Sequence, residues 1–135
     1  MVSEIETYAP SEQELYIGRG RLTNLVAGPD EGVDSFSCVR VRFPPGQTSE
    51  MHAKEETMEV VYVLEGELTL RTDSEAHIVG SDSVVVIPKG VAHRHCNEAE
   101  RDLVHLVLMT PPGPEEIFKE RRRLADVEDD ADDIP

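Results

Sequence analysis

The sequence predicts an all-β domain, a sandwich or a barrel, on two observations. Short apolar or alternating runs recur every 8–12 residues or so, with turn residues between them and no helical pattern among them. At 135 residues the chain can also bury roughly two-thirds of its surface, enough for one core without staples.

Residues 1–34 read as an N-terminal arm and first strand, and the first 20 lack periodicity. The barrel core is expected over 35–112. Its clearest strand opens at Ser35, where Ser35, Ser37, Val39, Val41 and Phe43 alternate with Phe36, Cys38, Arg40 and Arg42. It stops at Pro44-Pro45-Gly46, which cannot continue a central strand. Further strands are predicted at Glu59–Leu64, Glu67–Thr72, Ser83–Ile87, Val91–Asn97 and Asp102–Met109. Val84–Ile87 is continuously apolar and reads as a strand buried on both faces.

A helix is expected over 113–125. Gly113 serves as N-cap and Pro114 fits the first helical position, while Glu115 and Glu116 complement the first-turn dipole. Ile117, Phe118, Arg121, Leu124 and Ala125 give it a partly apolar face. Residues 126–135, dense in acids, read as a disordered tail.

Thirteen Lys and Arg against 28 Asp and Glu leave a net charge of −15, which repels phosphate backbones and anionic membrane surfaces. No nucleic-acid or membrane partner is expected. Cys38 and Cys96 stand far apart, so neither a disulfide framework nor a Cys-rich zinc module is legible. The first 20 residues carry no apolar run of the kind a signal peptide or span requires. Together these features fit a reduced, cytoplasmic protein.

The chemistry concentrates in two segments. In Gly46–Glu67, His52 and Lys54 share a strand face, whereas Glu59, seven positions from His52, has the opposite parity. A bend in the polar run Lys54-Glu55-Glu56-Thr57 would let Glu59 open a new strand and face back toward His52. In Asp82–Asn97, Pro88-Lys89-Gly90 reverses the chain, and His93 and His95 then fall on one face. His105, between Val104 and Leu106, reads as a hydrogen-bonded core or interface histidine, and His77 as a surface strand residue. The arginines spread over the strands read as partners of surface acids.

These two segments resemble the paired motifs of the cupin superfamily, in particular its small single-domain members. Gly46, His52, Lys54, Glu59 and Gly66 match the first motif, G-x5-H-x-H-x(3,4)-E-x6-G, in every spacing, with Lys54 at the second-histidine position. Pro88, Gly90, His93 and Asn97 match the second, G-x5-P-x-G-x2-H-x3-N, with Asp82 where its opening glycine belongs. The resemblance implies a jelly-roll β-barrel, commonly a homodimer, with an internal metal site.

Carried over by position, it nominates His52, Glu59 and His93 as ligands of a divalent transition metal. Two imidazoles and a carboxylate suit Fe, Mn, Ni, Cu or Zn and leave positions open for water or substrate. A protonated lysine offers no lone pair, so three arrangements follow: the three-ligand face, the same face with His95 as an added ligand, or a metal-free pocket in which Lys54 pairs with Glu59. With metal, Lys54 and His95 are the candidate catalytic residues. The implied function is an enzyme acting on a small polar metabolite by oxygenation, isomerisation or lyase chemistry; the alternative is a metal-free small-molecule-binding or sensor protein.

Overall fold

The computed structural model describes residues 5–9, 15–18 and 21–114. Its strands are β1 (Leu15–Gly18), β2 (Arg21–Ala27), β3 (Ser37–Phe43), β4 (Met58–Glu65), β5 (Leu68–Arg71), β6 (Ala76–Val79), β7 (Val84–Ile87), β8 (Arg94–Cys96) and β9 (Leu103–Thr110). They form an antiparallel six-stranded sheet in the order β1-β2-β3-β9-β4-β7 and an antiparallel three-stranded sheet in the order β6-β5-β8. The all-β jelly-roll expectation holds. The expected helix beyond Pro114 and the acidic tail lie outside the described residues.

Period-two patterning explains how the core is filled. Along β3 the side chains of Ser37, Val39, Val41 and Phe43 are buried, while those between them are half-buried or exposed. Strand β4 buries Glu59, Val61 and Val63 in the same way. Leu68 and Leu70 from the smaller sheet join Val39, Val61, Leu103, Val107 and Met109 from the larger one in a single apolar cluster. The two sheets therefore share one core.

Two expectations change. Residues 1–34, expected to hold an arm and one strand, contain two, β1 and β2, paired from Leu15↔Asn24 to Gly18↔Arg21; the four residues of β1 are too few to display a period. Strand β6 bears His77 on its surface as expected, with Ala76 and Ile78 also exposed and Val79 in the core. Strand β7 is buried on one face alone: it is an edge strand whose Val84 and Val86 are 56% and 54% exposed, while Ile87 lies in the core and Val85 packs against it. An unbroken apolar run does not by itself say how many faces are covered.

The motif residues off the ligand positions are structural. Asp82, standing where the glycine belongs, has φ 63°, a left-handed conformation open to Gly and tolerated by Asp. Its backbone N–H donates to Val63 O at 2.8 Å, and its carboxylate accepts from the Tyr62 hydroxyl at 2.9 Å. Asn97 is buried; its amide donates to Phe43 O and Arg101 O at 3.0 and 2.8 Å and its oxygen accepts from Ala99 N–H at 3.1 Å. It pins the end of β3 to the β8–β9 turn. Both cysteines are free, and among the described residues no helix is long and apolar enough to cross a membrane.

Candidate functional site

The segment after β3 runs antiparallel to β8 and so brings the first motif beside the second. Gly46 N–H donates to Asn97 O at 2.9 Å, Ser49 N–H to His95 O at 2.8 Å, and His52 and His93 exchange both backbone bonds at 2.9 Å. This ladder fixes His52 opposite His93. The chain then bends at Glu55 and Glu56, held by Gly90 N–H on Lys54 O at 2.9 Å, before β4 begins at Met58. The bend restores the parity of Glu59, whose side chain enters the barrel and is 1% exposed.

The three nominated ligands converge: one donor atom each from His52, Glu59 and His93 lie within 4.8 Å of one another. The Nδ1 of His52 lies 2.8 Å from Glu50 O, and the Nδ1 of His93 2.9 Å from Val91 O. Each Nδ1–H therefore donates to a backbone carbonyl, which leaves the Nε2 lone pairs turned inward, the tautomer a metal ligand needs. His93 Nε2 is 3.2 Å from Glu59 Oε2 and is buried without a hydrogen-bond partner. Two lone-pair atoms aimed at the same space fit a cation between them.

Lys54 enters that same space. Its Nζ lies 2.7 Å from His52 Nε2 and 2.5 Å from Glu59 Oε2, with its side chain 17% exposed. The donor set thus fits a divalent ion once the lysine side chain, free to rotate about its four-carbon stem, moves aside.

His95 sits on the other side of the carboxylate, with Nε2 3.3 Å from Glu59 Oε1, and stacks on His105 at a centroid distance of 5.5 Å. His105 is buried as expected, but no hydrogen bond reaches its Nδ1, and it lines the cavity instead. Its parity with Leu103, Val107 and Met109 on β9 is the sequence signal that points it inward. His77 is exposed beside Glu75, and Arg42 and Arg71 pair with Asp102 and Glu98, as expected of surface residues. The site opens into a cavity of about 550 Å³ walled by Val41, Phe43, Val107 and Met109, with Glu50, Glu55 and Glu56 exposed at its rim.

Burial holds the imidazoles neutral. It pushes His52 down to about 4, helped by the Lys54 charge. It also lowers His95 against the opposing pull of Glu59, and drives His105 well below the usual histidine range. Glu59 goes the other way: burial acts to raise it, but His93, His95 and Lys54 outweigh that and keep it far below the usual carboxylate range.

For a histidine whose folded value is lowered, the unfolded chain binds the proton first. Its contribution to stability is complete above about 6.5 and is lost as pH falls through the window down to about 4. Glu59, lowered, keeps its contribution until pH drops below the ordinary carboxylate value. The urea midpoint of chelator-treated protein should therefore be lower at pH 5 than at pH 7, and the difference should shrink in His105→Gln. A midpoint indifferent to pH across that interval would mean that these imidazoles are not held neutral.

The sequence pattern of the cupin domain matches residues 39–109. More than half of the chain is covered, and the chain belongs to the cupin family. No curated protein matches it. Among solved structures it is similar to a sugar phosphate isomerase of the cupin superfamily from Silicibacter pomeroyi, at 26% identity and a TM-score of 0.68 over 79% of this chain and 76% of that one. It is also similar to the polyketide cyclase RemF from Streptomyces resistomycificus, at 19% identity and 0.72 over 82% of each chain. A predicted oxalate decarboxylase from Thermotoga maritima aligns at 19% identity and 0.70, over 79% of this chain and 100% of that one. The latter two likenesses are of fold.

Proposed function

We propose that the protein is a divalent-metal-binding cupin enzyme that transforms a small oxygen-bearing metabolite by an oxygenation, isomerisation or lyase step. One observation carries the reading: donor atoms of His52, His93 and Glu59 lie within 4.8 Å of one another, with both imidazole tautomers set by backbone carbonyls. His52, Glu59 and His93 would hold the ion, which when bound polarises a carbonyl or enolate oxygen or acidifies water. Lys54 would donate a hydrogen bond to developing negative charge on the ligand, and His95, with Nε2 3.3 Å from the second Glu59 oxygen, lines the same site. The apolar wall excludes water and takes the carbon skeleton of the ligand. The likeness to an isomerase at 26% identity supports the enzymatic reading. The reading keeps a cytoplasmic homodimer, for which the exposed valines of the β7 edge supply apolar surface.

A second reading rests on Lys54 itself, whose ammonium bonds His52 and Glu59 as an ion would. On that reading the barrel binds a small molecule without metal. Elemental analysis separates the two. Protein expressed and purified without chelator should hold one equivalent of a transition ion, His93→Ala should lose it, and Lys54→His should bind it more tightly. A wild type that stays empty after reloading would establish the metal-free module.

A further inference from the structure

The charges within the cavity balance as they stand. Lys54 and Glu59 form a close pair, with side chains 17% and 2% exposed, and the inner wall of Val41, Phe43, Val107 and Met109 adds no charge. A divalent ion at His52, Glu59 and His93 upsets this in two ways. It takes from Lys54 the two atoms that Nζ bonds, His52 Nε2 and Glu59 Oε2. It also leaves an ammonium and a dication facing one carboxylate, an excess of two positive charges in a largely apolar cavity. Buried charge of that kind requires a counter-ion. The acids of the rim, Glu50, Glu55 and Glu56, are exposed to water and screened.

We propose that the centre takes its ion together with an organic anion, a carboxylate on an apolar chain, and that Lys54 couples the two. The carboxylate gives the displaced ammonium a new partner, and its chain lies along Val41, Phe43, Val107 and Met109. The ligand class is thereby narrowed from small metabolites in general to carboxylates with an apolar body. This rests on the metal-binding reading above and adds to it a coupling between two ligands, which must be reciprocal. The acidic rim concentrates the cation first; the anion then lowers the excess from two positive charges to one.

The test uses the full chain, stripped with chelator and dialysed, titrated with Co²⁺ by calorimetry and followed by visible absorption. Hexanoate is the anionic probe and hexanamide its neutral counterpart. Saturating hexanoate should tighten Co²⁺ binding about tenfold, and hexanamide by less than about twofold. In Lys54→Met, and in the polar control Lys54→Gln, Co²⁺ alone should bind more tightly than in the wild type, and the hexanoate effect should fall below about threefold. Co²⁺ binding that hexanoate leaves unchanged overturns the coupling, as it would if Lys54 simply swung onto the rim glutamates. So does a hexanoate effect of equal size in both lysine variants. No Co²⁺ binding to any of the three proteins overturns the metal-binding reading and the coupling with it.

Discussion

Glu59→Gln should weaken transition-metal binding by about 100-fold or more and destabilise the chelator-treated protein by about 3 kcal/mol, the low end of the cost of breaking a buried ion pair. The amide preserves shape, so the loss isolates charge. In the metal-bound protein it removes the only anionic donor among three converging ligands. In the metal-free protein it leaves the Lys54 ammonium beside a neutral group it formerly bonded at 2.5 Å. The low end applies because Lys54, 17% exposed, can turn toward solvent. The double variant Glu59→Gln, Lys54→Met removes both charges and should recover most of the stability, though not the metal affinity. If the double variant is as unstable as the single one, the ion pair is not what Glu59 contributes to the fold.

Gly66→Ala should cost about 2–5 kcal/mol, combining about 1–2 for a left-handed side-chain-bearing residue with about 1–3 for overpacking. Gly66 has φ 82°, and a Cβ there would collide with Asp102 O and lie 3.1 Å from Leu103 Cα. These are backbone atoms at the start of β9, where β4 bulges between Val63 and Glu65, and they cannot yield as a flexible side chain would. Gly46→Ala supplies the comparison. Gly46 has φ 86°, but a Cβ added to it would meet nothing within 4 Å, so only the conformational part applies. Denaturant midpoints should fall in the order wild type, Gly46→Ala, Gly66→Ala. Equal losses for the two glycines would refute the close-approach account.

Much of this architecture is legible because its signals are local. Alternation along Ser37–Phe43 and the turn residues at Pro44-Pro45-Gly46 placed β3 to within two residues. The parity mismatch between His52 and Glu59 demanded a bend, and the bend lies at Glu55 and Glu56 as that argument required. Strand β1 and the exposed face of β7 escaped because short strands carry no period and because burial belongs to the neighbours of a strand. His105 escaped as a cavity residue because a lone polar residue in an apolar run looks alike whether it meets protein or an open pocket.

By itself, the order of residues determined the strand composition and the two motif segments, since spacing and side-chain chemistry are properties of the chain, and the resemblance of those segments to a family nominated the three candidate donors. Only the tertiary structure decided that Lys54 Nζ enters the space between His52 and Glu59, and that His95 and His105 extend the polar row into an apolar cavity. Spacing restricts which face a side chain takes. Whether two side chains occupy the same few cubic ångströms depends on how separate strands pack, and that is set by the core they share.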